Sequence, residues 1–97
     1  MTHKLNITNG AKVLAASLLT APDQFNDPSA ILRAAHLHAA LTKDTPKELD
    51  VEYMEKETEF EVSEPQRDLL KESAKKLSPK IPITKHAISL LTALGFE

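Results

Sequence analysis

Four histidines are the side chains in this chain best suited to hold a metal ion or to exchange a proton near neutral pH. They are His3, His36, His38 and His86. His36 and His38 lie two residues apart, which places them on different sides of a helix, whereas a helical zinc site uses residues three or four apart. Because the chain has no cysteine, thiol catalysis and cysteine-based zinc sites are excluded. We therefore expect no metal site and no cofactor.

Serine and threonine could supply a nucleophile, but their positions next to prolines and at helix starts fit helix caps instead. The chain lacks the G-x-S-x-G pattern of a nucleophile elbow. Its two glycines are too few for a glycine-rich phosphate loop. The sequence therefore predicts a protein that is not an enzyme.

Carboxylates are concentrated in the middle of the chain. Between residues 44 and 64, nine acidic residues stand against two lysines. Aromatic and methionine side chains lie among these charges, as they do in protein interfaces. We take as candidate protein-binding residues Glu52, Tyr53, Met54, Glu55, Glu57, Glu59 and Phe60. The alternative is that this acidic segment is only a solvated surface.

The following segment has the opposite charge. Between residues 71 and 86, five lysines stand against one glutamate. The candidate phosphate-binding residues are Lys71, Lys75, Lys76, Lys80 and Lys85. A nucleic-acid-binding regulator is therefore the second hypothesis. It is weakened by the net charge of −2 and the pI of about 6.1, since dedicated nucleic-acid domains usually have a pI above about 9.

Helices must position these residues, because the composition favours helix strongly. The chain has many leucines and alanines but few of the valines and aromatics that build strands. Apolar spacing predicts helices at about 9–20, 28–42, 63–77 and 84–94. We expect a single all-α domain over residues 1–97, in which the four helices form two helical hairpins. The charged linker at 43–62 is predicted to be irregular or partly helical, with a short β-ribbon inside it as the alternative.

Capping residues mark where each helix begins. They are Thr8 or Asn9, Asp27, Ser63 and Thr84. A further capping pattern at 45–48 would allow a short helix to begin there. Gly95 is placed to end the last helix, with Phe96 folding back on Leu91.

The leading hypothesis from the sequence is a small, non-enzymatic protein–protein interaction module that acts through the acidic segment and forms a homodimer. In size and texture the chain is similar to small accessory proteins of bacteriophages and prophages. No motif carries that resemblance, so it transfers no functional residue. A specific version of the leading hypothesis is an inhibitor of a host protein, in which the acidic residues from Glu48 to Glu64 imitate nucleic-acid charge. Since the chain has no apolar run long enough to span a bilayer and no signal peptide, we expect a soluble, cytoplasmic protein without membrane contacts.

Overall fold

The computed structural model describes residues 2–20, 25–43 and 45–96. Within these residues the chain forms five α-helices and a two-stranded antiparallel sheet. In chain order the elements are β1 (Thr2–Thr8), α1 (Asn9–Leu19), α2 (Pro28–Thr42), α3 (Val51–Glu55), β2 (Glu57–Ser63), α4 (Glu64–Lys76) and α5 (Lys85–Ala93). A single 3-10 turn, Ser78–Lys80, lies between α4 and α5.

The expectation of an all-α domain is wrong, because the described residues include a two-stranded antiparallel sheet. Thr2–Thr8 pairs along its whole length with Glu57–Ser63. The first strand alternates apolar and polar residues, with Leu5 and Ile7 buried and Lys4 and Asn6 exposed. This period-two pattern is a local strand signal, but the helix-favouring composition of the chain outweighed it in the sequence-based prediction. The segment forms a strand because a partner segment, residues 57–63, completes its hydrogen bonds from far along the chain.

The four helices predicted from apolar spacing are confirmed, with bounds that differ by no more than about one residue. Their caps are also confirmed: each capping side chain accepts a hydrogen bond from a backbone N–H in the first turn. The first helix is capped by Thr8 rather than Asn9. Ser63 and Gln66 form a reciprocal capping box. None of the described helices is both long and apolar enough to cross a membrane.

The linker at 43–62 is more ordered than the sequence indicated. No helix begins at residue 45, where the capping pattern lies. Instead Asp50 caps the short helix α3, and its side chain accepts a hydrogen bond of 2.7 Å from the Tyr53 N–H. The strand that follows pairs outside the linker, with β1, so the alternative of a ribbon within the linker is also wrong.

Helix α1 lies at the centre of the fold. It packs against all the other helices, with Ala11 and Ala15 fully buried. The expected second hairpin is absent, because α5 packs mainly on β1 and α1 and makes little contact with α4. Each strand nevertheless runs directly into a helix. In the two-stranded sheet, which we call the ribbon, Leu5 and Phe60 form the central pair. Leu5 lies three residues before the cap of α1, and Phe60 lies three residues before the cap of α4. Both strands therefore lead into their helices at the same distance from this central pair.

Candidate functional site

The acidic candidate residues lie on two consecutive elements. Glu52, Tyr53, Met54 and Glu55 belong to α3. The remaining three, Glu57, Glu59 and Phe60, belong to β2. Tyr53 and Met54 are half-buried, and the carbonyl oxygen of Tyr53 accepts a hydrogen bond of 3.0 Å from the Asn9 side-chain amide.

Strand alternation separates the acids of β2 from their proposed aromatic anchor. Glu57, Glu59 and Glu61 are exposed on one face of β2. Phe60 lies on the opposite face and packs against the core. The Lys12 ammonium lies 5.7 Å from the centre of the Phe60 ring. The structure therefore does not bring Phe60 together with the glutamates on one surface.

Two lysines partly neutralise the acidic segment. Lys85 donates a hydrogen bond to the Glu55 carboxylate, and together with the positive charge of Lys85 this holds the pKa of Glu55 below its usual value. The Lys4 ammonium lies 3.4 Å from Glu59. Both pairs are largely exposed, so each adds little to stability. They do reduce the negative charge that a basic partner would meet.

The solvent face of the ribbon remains acidic in spite of these pairs. Lys4 and Asn6 lie on β1, opposite Glu57, Glu59 and Glu61 of β2. A two-stranded ribbon has the dimensions to enter the major groove of DNA. Three carboxylates against one ammonium would repel the phosphates that such binding needs.

The five candidate lysines do not form one patch. Lys71, Lys75 and Lys76 lie on α4, Lys80 lies on the 3-10 turn, and Lys85 begins α5. Lys76 lines a polar cleft together with Glu64, Asp68 and Glu72. The Lys71 ammonium lies 5.7 Å from the centre of the Phe96 ring, and Lys85 is paired with Glu55.

The most distinctive surface is an apolar groove of about 500 Å³ between α4 and α5, which we call the α4–α5 groove. Its apolar lining consists of Ala74, Ile81, Pro82, Ile83, Ala87, Ile88, Leu91 and Phe96. Ile83 is 99% exposed and Ile88 is 65% exposed. Thr84 and Lys75 complete the lining, and Lys75 is its charged residue.

The groove exists because the connector after Leu77 leads away from α4 before α5 begins. Prolines at 79 and 82 cannot continue a helix, so the connector is a 3-10 turn followed by extended chain. Thr84 then caps α5, whose buried side packs on α1 and β1 instead of α4.

The C-terminal turn contributes Phe96 to the lining of the groove. Gly95 has a φ of 94°, a conformation that favours glycine. The Phe96 N–H donates a hydrogen bond of 3.0 Å to the Leu91 carbonyl, which confirms the expected fold-back of Phe96. The Arg67 guanidinium donates to the Leu94 carbonyl at 3.3 Å and ties this turn to α4.

One polar cluster was missed by sequence reasoning. The Thr8 hydroxyl lies 2.8 Å from Nδ1 of His86, and the Thr8 N–H donates to the Ser89 hydroxyl at 3.2 Å. The His86 ring lies directly against Gly10, where a Cβ atom would overlap it. The Thr8 hydroxyl also accepts the α1 capping bond from Ala11 N–H. The cluster joins β1, α1 and α5, so its role in the structure is to fix α5 on the ribbon.

The other histidines are dispersed. His36 is exposed, while His3 and His38 are half-buried on separate elements. Within residues 2–20, 25–43 and 45–96, no group of three or more metal-ligating side chains is placed to hold an ion.

Comparisons of the chain with protein-family models, with curated proteins and with solved structures found no match.

Proposed function

We propose that this protein is a non-enzymatic interaction module that holds an amphipathic, acidic segment of a partner protein in the α4–α5 groove. The observation that carries the proposal is the exposure of Ile83 and Ile88, at 99% and 65%, along one continuous apolar depression. Large apolar side chains grouped in a concave surface are typical of a binding site.

The energetic argument rests on the area that a partner would remove from water. Full burial of one isoleucine side chain stabilises a complex by about 1.5–3 kcal/mol before the costs of association. Leu91 and Phe96 widen the apolar wall beside these two isoleucines. This is the arrangement by which a groove receives the apolar side of a helix or an extended segment.

The charge of the groove indicates the chemistry of the partner. Lys75 lines it, Lys71 lies over Phe96, and the exposed Lys80 precedes Ile81 in the chain. No acidic side chain lines the groove among the described residues. Carboxylates beside the apolar stripe of the partner would therefore meet lysines at the rim, which favours correct orientation and fast association.

The groove is better supported than the acidic segment as the binding surface. Phe60 packs against the core, and Glu55 and Glu59 already have lysine partners. Binding through that segment would have to break these pairs. The seven acidic-segment residues stay a prediction of the sequence.

The test uses two pairs of exposed apolar residues as matched variants. The first is Ile83→Ser with Ile88→Ser in the groove. The second is Leu49→Ser with Val51→Ser, whose side chains are 45% and 70% exposed within the acidic segment. Each tagged variant is used to capture proteins from the native cell lysate, and a photo-reactive residue in place of Ile83 identifies the protein in contact.

We expect a protein that wild type and the Leu49/Val51 variant retain equally and that the Ile83/Ile88 variant loses by at least tenfold. The cross-link from position 83 should capture the same protein. Equal retention by the groove variant would overturn the proposal. Loss with the Leu49/Val51 variant alone would transfer the binding site to the acidic segment.

A further inference from the structure

The two strands of the ribbon differ in what lies along their outer edges. Helix α5 packs against β1, and the Thr8 N–H donates to the Ser89 hydroxyl of α5 at 3.2 Å. The outer edge of β1 is therefore covered. Among the described elements, β2 packs mainly on β1 and on α4, the helix that continues from it, and no other strand pairs with it.

The pairing of the ribbon shows which backbone groups lie on the outer edge of β2. In an antiparallel pair, alternate residues direct their N–H and C=O groups toward the partner strand and away from it. Thr8, which lies opposite Glu57, donates its N–H away from β2. Ser63 likewise donates its N–H to the Gln66 side chain at 2.9 Å instead of to β1. The backbone groups that point away from β1 therefore include those of Glu57, Glu59 and Glu61.

These backbone groups form what we call the open edge of β2. No described residue outside the ribbon forms a hydrogen bond with them. Their residues are exposed. A row of unpaired N–H and C=O groups along a strand is a template on which a further strand can pair.

The charge beside the open edge indicates the chemistry of a strand that pairs there. The same three residues of β2 carry exposed carboxylates on one face of the ribbon. Lys4, whose ammonium lies 3.4 Å from Glu59, is the one cation of the ribbon apart from His3. The side chains of an added strand would lie about 4.5–5.5 Å from the glutamates, measured between Cβ atoms, and opposite charges at that distance stabilise the pairing. The edge therefore favours lysine or arginine at every second position of the added strand.

The same charge argues against a second copy of this chain as the added strand. An antiparallel pair of β2 strands centred on Glu59 or Phe60 would place glutamates opposite glutamates, and like charges at cross-strand positions are destabilising. On the inner face, the residues of an added strand would lie beside the half-buried Phe60, which favours apolar residues at the alternate positions.

We propose that the open edge of β2 binds an extended segment of a partner protein, in which basic and apolar residues alternate, as an antiparallel third strand of the ribbon. Backbone hydrogen bonds supply the affinity, and the glutamates select the basic residues. No residue of the ribbon lines the α4–α5 groove, so this site is additional to the proposed groove site. Binding here leaves the pair between Glu55 and Lys85 intact.

The probe for this site is a labelled heptapeptide in which lysine and valine alternate, with both ends blocked. In the proposed pairing, the lysines lie opposite the glutamates and their N–H groups donate to β2, whereas the valine N–H groups point away. Methylation of two lysine backbone nitrogens should therefore weaken binding at least tenfold, while methylation of two valine nitrogens should weaken it less than threefold. Fluorescence anisotropy measures both. Equal weakening by the two peptides, or no binding of the unmodified peptide to wild type, would overturn the proposal.

Charge reversal on the protein tests the position of the site. Glu57→Lys with Glu61→Lys should weaken peptide binding at least tenfold. The matched control is Glu48→Lys with Glu52→Lys, which makes the same change in net charge at exposed residues outside β2. It should weaken binding less than threefold. Ile83→Ser with Ile88→Ser should bind like wild type, which separates this site from the groove. Equal losses in the two charge-reversal variants would show attraction to the overall charge and contradict strand pairing.

Amide hydrogen exchange reports the new backbone hydrogen bonds directly, without any substitution. In the free protein the amides of Glu57, Glu59 and Glu61 should exchange fast, and bound peptide should slow their exchange at least tenfold. Phe60 and Val62 donate toward β1 and should be protected with or without peptide. Peptide binding without new protection would show that no third strand forms. Slow exchange at the glutamates of wild type alone, accompanied by self-association, would assign the edge to a second copy instead.

Discussion

Gly10 and His86 form the closest contact between α1 and α5, because the imidazole ring occupies the space that a Cβ atom would take. Gly10→Ala should therefore lower the free energy of unfolding by about 1–3 kcal/mol. This loss would exceed the roughly 1 kcal/mol that alanine gains over glycine inside a helix. Urea denaturation measures the change.

The His86→Ala background supplies the control for this contact. There the space beside Gly10 is open, so Gly10→Ala should stabilise the protein by about 0.5–1 kcal/mol through helix propensity. The sign of the effect thus reverses between the two backgrounds. If Gly10→Ala had the same effect in both, the ring would not be what excludes a side chain at position 10.

Glu55 gives the molecule one pH-dependent contribution to stability. Lys85 lowers the pKa of Glu55 in the folded protein through a hydrogen bond and its charge. A lowered folded pKa means that this contribution is present above the unfolded pKa and is lost as the pH falls through the folded pKa. We expect Glu55→Gln to reduce stability slightly near pH 7 and to have no effect near pH 2.

Glu52→Gln is the matched control, since Glu52 is an exposed glutamate on the same short helix. Thermal unfolding across the acidic range should show a smaller pH dependence for Glu55→Gln than for Glu52→Gln. A Glu55→Gln profile that parallels wild type would mean that the Lys85 pair is absent in solution.

At the scale of elements, the stability of the ribbon depends on which face of β2 packs against the core. Val62 is 1% exposed and belongs to the core, whereas its neighbour Glu61 is exposed. Val62→Thr places a hydroxyl in the core and should lower the free energy of unfolding by about 1–3 kcal/mol. Glu61→Thr, with the same new side chain on the outer side, should change it by less than about 0.5 kcal/mol. Chemical denaturation of both variants tests the register, and equal effects would contradict it.

The elements themselves were predictable to the degree that their signals are local. The helix caps at Asp27, Ser63 and Thr84 depend on hydrogen bonds within three residues, so the sequence located them. The pairing of Leu5 with Phe60 depends on chain segments far apart in sequence. The alternation in residues 4–8 is a local strand signal, but no local pattern identifies the partner strand. The composition therefore favoured an all-α fold, and that prediction was wrong.

At the scale of the whole molecule, the α4–α5 groove is separate from the exposed apolar residues of α2, Ile31 and Leu32. No residue of α2 lines the groove. Leu32→Ser should therefore leave capture of the partner protein unchanged, whereas Ile83→Ser with Ile88→Ser should lose it. Equal loss in both variants would show that the partner contacts more of the surface than the groove.

The sequence by itself determined the positions of four helices, their caps and the C-terminal turn, because each depends on neighbouring residues and on helical spacing. It also located the segments of opposite charge. Only the tertiary structure decided which charged residues are paired, that Phe60 packs inward, and that α5 lies against β1 instead of α4. The α4–α5 groove follows from that last choice, since its walls meet only when segments distant in sequence are packed together.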